Sequence, residues 1–364
     1  MTDHEAFVAL NMVPKLGPVR VRALLEAFGS PQSILTASQG DLLQVEGIGS
    51  EVASSLRNWE AHADVPAELE RARISGARIV TLRDEEYPSL LREIHDPPTV
   101  LYVRGQLNAS NLQSTLGIIG TRKPTHYGEA STKKLAYQLA YAGVTVASGL
   151  ARGVDTAAHQ AALAAHGRTI AVLGSGLAAL YPPENKPLAD KIVESGAVVS
   201  EFPMLTRADR QTFPMRNRIV SGLSFGVLVI EAASRSGALI TANQAGEQGR
   251  AVYALPGRID SLQSIGTNRL IQQGAKLVTS AQDILEDMGL IFASLPTLEK
   301  PSLSHSLSGN ERLIFDALGD GEPGMDEVAS RSGLPIAEVS STLLALEIRK
   351  LVKPLPGGRF VKTL

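Results

Sequence analysis

Four short segments place glycine beside serine, threonine, arginine or lysine immediately after an apolar run. They are Gly120-Thr121-Arg122-Lys123, Ser148-Gly149-Leu150-Ala151-Arg152-Gly153, Gly174-Ser175-Gly176 and Ser234-Arg235-Ser236-Gly237-Ala238-Leu239-Ile240-Thr241. A fifth, Phe213-Pro214-Met215-Arg216-Asn217-Arg218, precedes a helical stretch, and Asn185-Lys186 stands at the start of another. Backbone N–H groups at such turns and helix starts attract anions. A guanidinium fork holds one phosphate through two parallel hydrogen bonds. The chemistry these segments share is phosphate binding. The expected contacts are Gly120, Thr121, Arg122, Lys123, Ser148, Gly149, Arg152, Gly174, Ser175, Gly176, Asn185, Lys186, Arg216, Asn217, Arg218, Ser236, Gly237 and Thr241. Each turn alone has an ordinary structural explanation; their recurrence is the signal.

Other chemistries lack their parts. No G-x-x-x-x-G-K-[ST] loop is present, and the seven histidines show no H-E-x-x-H or paired spacing, so no P-loop, metal site or cofactor is predicted. Gly174-Ser175-Gly176-Leu177-Ala178-Ala179 has dinucleotide-fingerprint spacing, but Tyr181-Pro182-Pro183 prevents the long helix that should receive a pyrophosphate. Gly222-Leu223-Ser224-Phe225-Gly226 matches a nucleophile elbow with its context reversed, helix before and strand after. His159, on a helix after a turn, reads as structural. No nucleophile–base pair emerges, so no catalytic residue is expected.

The elements that must position these turns alternate. Apolar runs at 116–119, 144–147, 169–173, 198–200, 226–230, 251–255 and 276–278 are separated, for the most part, by amphipathic stretches such as 127–141, 155–165, 186–194, 240–248 and 281–288. Strand, turn, helix, strand is the βαβ unit, and its repetition predicts a doubly wound parallel sheet, Rossmann-like, over 111–290. Such a sheet sets its βα turns along one edge, where several arginines would form a basic trough able to track a sugar–phosphate chain.

Three further pieces flank this domain. Residues 1–62 predict a small helical domain, in which Val13–Arg20 and Val45–Ala53 resemble each other as helix-hairpin-helix elements; they either meet a phosphate or only shape turns in a helical bundle. Residues 63–110 read as a connector packing on the sheet, 291–308 as a Ser/Leu/Pro-rich linker. Residues 309–364 read as a winged-helix-like domain, with helices at 310–318, 325–332 and 336–350 and a hairpin at 351–362. That tail serves either DNA contact or protein docking and dimerisation.

Charge distribution agrees with a basic middle. The 364-residue chain carries a net −2, yet residues 111–290 hold 17 Lys and Arg against 13 Asp and Glu, a net of +4. Aromatics are 4% of the chain, which argues against a broad base-stacking platform and for backbone contact. Cysteine is absent, excluding disulfides and thiolate chemistry. No 18-residue apolar run predicts a spanning helix, and the start lacks a signal-peptide pattern, so a cytoplasmic protein without membrane contact is expected.

In combination and order, six motifs resemble the DNA-processing protein A (Smf) family. They are G-T-R at 120–122, S-G-x-A-R-G-V-D at 148–155, Y-P-x-E-N at 181–185, F-P-x-R-N-R-I-V at 213–220, S-G-A-L-I-T-A at 236–242 and A-x-P-G at 254–257. The resemblance implies single-stranded DNA binding, loading of the RecA recombinase onto incoming DNA during natural transformation, a homodimer through the α/β domain, and no turnover. By position it implies DNA contact by Arg122 and by a lysine at or near Lys186, with Arg216, Asn217 and Arg218 lining the same pocket. The fold is also similar to nucleotide phosphoribohydrolases with a P-G-G-x-G-T-x-x-E loop. The corresponding turn here, Ser234–Thr241, has neither the glycine pair nor the glutamate. A transcription regulator acting through the tail is a third possibility.

Overall fold

The computed structural model describes residues 1–107, 112, 114–290, 307, 309–319, 321–349 and 351–363. The chain divides into two compact units, Met1–Pro296 and Thr297–Leu364. Apart from residue 307, the expected linker lies outside the described residues, as does Lys350 at the end of one expected helix.

The first unit opens with six helices: α1 (Asp3–Met12), α2 (Pro18–Phe28), α3 (Pro31–Thr36), α4 (Gln39–Leu42), α5 (Ser50–Arg57) and α6 (Val65–Ile74). A capping box between Thr2 and Glu5 starts α1, and Pro18 in the first turn of α2 follows the Gly17 cap. Leu10, Leu24, Ile34, Leu42 and Leu56 fill a core of their own. The two hairpins lie against each other. Arg20 donates to the Lys15 carbonyl (2.6 Å) and the Gly47 carbonyl (3.0 Å), and Lys15 pairs with Glu51 at 2.5 Å.

A nine-stranded sheet follows. Its strands are β1 (Ala77–Thr81), β2 (Val100–Gly105), β3 (Thr115–Ile119), β4 (Thr145–Ser148), β5 (Thr169–Val172), β6 (Ala197–Ser200), β7 (Gly226–Val229), β8 (Ala251–Ala254) and β9 (Lys276–Leu277). The order is β1-β2-β6-β5-β4-β3-β7-β8-β9. Strands β3 to β9 run parallel, as the doubly wound reading requires. The connector does more than pack on this sheet: β1 and β2 extend it antiparallel through β6. A short helix, α7 (Ser89–Arg92), lies between them.

Alternating side chains fill both faces. Leu116 and Ile118 of β3 face α8 (His126–Tyr141) and α9 (Val154–Ala164), together with α14 (Gln282–Asp287). Ile119, Val227 and Val229 face α11 (Thr212–Gly222) and α12 (Gly237–Glu247). Helix α10 (Lys186–Ser195) packs Leu188, Ala189 and Ile192 on β5 and β6, and α13 (Ile265–Gln272) follows β8.

The second unit holds α15 (Asn310–Ala317), α16 (Met325–Ser332), α17 (Ile336–Ile348) and the hairpin β10 (Val352–Leu355) with β11 (Arg359–Lys362). Gly357 and Gly358 supply the positive φ angles of the turn (87° and 69°). Ile314, Leu318, Val328, Val339, Leu343 and Leu346 form its core. The exposed positions Ile336, Ala337, Ser340, Ser341, Leu344 and Ile348 of α17 carry no cation, and Arg349 beyond them pairs with Glu311.

A buried side-chain contact reinforces the β3–β7 pairing that joins the two halves of the parallel sheet. Glu231, buried at the end of β7, accepts from the Thr125 backbone N–H (2.8 Å) and the Thr125 hydroxyl (2.5 Å) at the start of α8. Its carbonyl accepts from Thr121 N–H at 2.8 Å. Glu231→Ala is predicted to lower unfolding stability by about 1–3 kcal/mol, the cost of unpaired buried donors; an unchanged urea midpoint would contradict this role.

Candidate nucleic-acid interface

The parallel strands bring the carboxyl ends of β7, β3, β4, β5 and β6 side by side. The turns singled out in the sequence therefore share one edge. In open α/β sheets the crevice where strand order reverses, here between β3 and β7, is the usual ligand position. The Glu231 carboxylate already occupies the helix start in that crevice. A Cβ on Gly128 would collide with it, so α8 closes tightly around this internal anion. The open site lies on the other side of β3.

There a small pocket is lined by Arg122, Gly149, Ala151, Arg152, Tyr181, Pro182, Phe213 and Arg216. The Arg122 guanidinium stands 4.9 Å from the Phe213 ring centroid, a cation–π contact that orients it while leaving it exposed. Tyr181, exposed, is tilted against Phe213 with centroids 6.1 Å apart. Arg152 is exposed and pairs with Glu184 at the rim. Cations and ring faces together can hold a phosphate and the flat face of a base.

The floor is rigid. Arg216 is buried and donates to the carbonyls of Gly149 and Val172, tying the β4 turn to the end of β5. Gly149 is required by this approach, since a Cβ there would collide with the guanidinium. Gly153 is required twice: its φ is +79°, and a Cβ would lie 2.5 Å from the Thr121 carbonyl. Asp155, buried at the start of α9, accepts from the N–H groups of Gly149 (3.1 Å) and Ala151 (3.2 Å). Burial pushes its carboxyl up, opposed chiefly by Arg216 and these N–H groups. Burial brings the Arg216 guanidinium down to about 10, with Asp155 opposing the fall and Arg122 adding to it, so it stays charged at neutral pH.

The structure sorts the expected contacts. Arg122, Gly149, Arg152 and Arg216 line the pocket. Lys123 and Lys186 are exposed at the same edge outside its lining, and Gly120 and Thr121 are half-buried beside them. Ser148, Gly174, Ser175 and Gly176 are buried in the turns. Asn185, also buried, donates to the Leu150 carbonyl (2.8 Å) and Thr156 (2.9 Å). Ser236 caps α12 by accepting from Ala238 N–H, Gly237 is exposed, and Thr241 is buried. Phe213–Arg218 lies within α11 rather than in a loop before a helix. Asn217 accepts from Arg216 Nε (3.2 Å), and Arg218 is sealed between Asp96 (3.0 Å) and Glu201. Ser224 of the apparent elbow is buried and donates to the Val220 carbonyl (2.7 Å), so it presents no nucleophile.

Sequence reasoning did not name Tyr181 or Phe213 as contacts, because aromatics are few overall. Their signal was local: each stands before a proline, one in the segment leading to Lys186 and the other at the start of the arginine-bearing helix. Among the described residues no group of three or more His, Cys, Asp and Glu is placed to hold a metal, and no helix is long and apolar enough to cross a membrane.

Fold and site define a doubly wound α/β protein with an arginine- and aromatic-lined pocket at its carboxyl edge, flanked by a helical module and a winged helix. The family profile described as DNA recombination-mediator protein A matches residues 78–289. A DprA winged-helix profile matches 299–358, and a SAM-like helix-hairpin-helix tandem matches 7–58. Protein Smf of Synechocystis is 34% identical over 99% of this chain and 98% of its own. DNA processing protein A from Streptococcus pneumoniae superposes with a TM-score of 0.69 at 35% identity, covering 80% of this chain and 99% of that one. DNA processing protein A from Helicobacter pylori, described for its single-stranded DNA binding mode, gives 0.52 at 31% identity over 59% and 97%. The chain belongs to the DNA recombination-mediator protein A (DprA/Smf) family.

His159 beneath the pocket supplies a pH test. It is buried, and its Nδ1 donates to Thr169 Oγ (2.7 Å), which in turn donates to the Val146 carbonyl. Burial first, then Arg216, pushes its pKa down to about 3. The folded state therefore binds a proton less readily than the unfolded chain, and stability falls as pH drops from about 6.5 towards 3. His159→Gln is predicted to flatten that acid limb in urea titrations; an unaltered pH dependence would contradict it.

Proposed function

We propose that this protein is a single-stranded DNA-binding recombination mediator that delivers RecA to incoming DNA during natural transformation, acting in the cytoplasm without catalytic turnover. The observation that carries the reading is the pocket where Arg122 and Arg152 meet Tyr181 and Phe213 over the buried Arg216 floor. It offers charge to phosphate and ring faces to bases. Among its lining residues there is no carboxylate, and Asp155 beneath it is turned onto backbone N–H groups. Nothing in the lining is arranged to take a proton from water, which favours binding over hydrolysis. The relationship to a family described by recombination mediation supports the RecA step.

Arg122→Ala is predicted to weaken binding of oligothymidylate and to reduce its log–log salt slope by about 0.7, the share of one phosphate on a single strand. The same variant is expected to lose acceleration of RecA assembly on strands precoated with single-strand-binding protein. Wild-type affinity and slope would overturn the reading.

Self-association belongs to the same proposal. Ile259 (96% exposed) and Leu262 (73%), on the segment between β8 and α13, and Ile265 (41%), the first residue of α13, are exposed apolar side chains of the α/β domain. A second copy meeting them would remove this surface from water in both protomers at once. Leu262→Asp is predicted to shift the sedimenting species from dimer to monomer; an unchanged distribution would contradict this contact.

A further inference from the structure

We infer that Arg207 and Arg210, on the loop between β6 and α11, form a second phosphodiester-binding station that extends the single-strand path beyond the central pocket. The inference rests on the single-strand reading above and names where the strand continues.

Three observations lead there. First, both arginines are exposed, and among the described residues neither has a hydrogen-bond or ion-pair partner. Several other arginines of this unit are engaged, Arg152 with Glu184, Arg218 with Asp96 and Glu201, Arg250 with Glu93 and Arg258 with Asp260, while Arg235 and Arg269 are exposed like this pair but lie off the loop between β6 and α11. Among the described residues, nothing uses Arg207 or Arg210.

Second, the loop is braced rather than slack. Gly176 N–H donates to the Thr206 carbonyl (2.9 Å), laying the loop across the turn after β5. The Thr212 hydroxyl donates to the Gly174 carbonyl (2.6 Å). Asp209 is the one acid in the stretch 202–211, and its carboxylate accepts from the N–H groups of Gln211 (2.6 Å) and Thr212 (3.0 Å). The acid is thereby committed to the start of α11, while the flanking arginines stay in solvent. A preformed loop loses little freedom on binding.

Third, the loop continues the pocket. Arg210 precedes the pocket residue Phe213 by three positions, and Arg207 directly follows the residue that holds Gly176. Along the sheet edge the cations then run from Arg122 after β3, through Arg152 after β4, to Arg207 and Arg210 after β6. Strands β3 and β6 themselves stand three strand spacings apart, about 14 Å, and the loop leads from the β6 end back to the pocket. A strand seated in the pocket and leaving towards β6 would pass over both guanidinium groups.

The test uses the full chain and fluorescent oligothymidylates of about 4 to about 16 nucleotides, the span of common single-strand site sizes. Arg207→Gln with Arg210→Gln is compared with wild type, with Arg122→Ala, and with a charge-matched control, Lys134→Gln with Lys191→Gln, placed on α8 and α10. The loop variant should bind the shortest oligomer as wild type does and lose the gain in affinity with length. Its salt slope on the longest oligomer should fall by about 1.4, two phosphates' worth. Wild-type length dependence, or a loss no larger than the control's, would overturn the station while Arg122→Ala still weakens every length. If Arg122→Ala binds every length as wild type does, the pocket reading fails and the station falls with it.

Discussion

A guanidinium buried under the loop tips governs the geometry of the edge. Arg216 reaches up from α11 to the carbonyls of Gly149 and Val172 and so fixes the β4 turn, the β5 terminus and the helix against one another. Leaving such carbonyls and such a charge unpaired in the interior costs several kcal/mol, so this one contact locks the spacing of three elements. Gly149 is glycine because the guanidinium passes where a Cβ would sit. The aromatic and cationic residues above it, Phe213, Tyr181 and Arg122, inherit fixed positions and need not be ordered when a strand arrives.

A second buried charge explains where the site is not. Glu231 fills the helix start at the crevice between β3 and β7, where a doubly wound sheet would ordinarily receive the phosphate of a nucleotide. With an internal carboxylate in that place, the fold keeps its framework and moves ligand access one strand over. The cations there differ in kind. Arg216 and Arg218 are held inside by carbonyls and carboxylates, whereas Arg122, Lys123 and Lys186 stand at the surface. Interior arginines build the edge; exposed ones are available to a polyanion.

The sequence carried the architecture well because periodicity and turn chemistry are local. Seven apolar runs of strand length, most of them closed by a glycine turn or a helix, left few alternatives to a parallel sheet, and the winged-helix hairpin announced itself through Pro356-Gly357-Gly358. The antiparallel addition of β1 and β2 was less legible, since strand partners depend on distant residues. At the site, residue type identified the turns but not their depth. Arg216, Asn217 and Arg218 look alike in sequence to surface cations and donors; only the helix phase of α11, with its inward face against β5 and the connector, sends both arginines inside. Tyr181 and Phe213 were obscured for the opposite reason, a whole-chain aromatic count that hid a local pair.

The flanking modules present their cations differently from the α/β domain. In the helical module Lys15 and Arg20 are turned onto Glu51 and onto hairpin carbonyls, and the outward positions of α17 in the winged helix carry no cation, Glu338 being their one charge. The exposed cations gathered along one edge belong to the α/β domain. The most direct measurement of that account is photo-crosslinking of a halogenated single-stranded oligonucleotide to the intact protein, with the attachment sites mapped by mass spectrometry. Attachment at Tyr181 and Phe213 is the predicted result. Attachment confined to the helical module or the winged helix, with those two rings untouched, would contradict it.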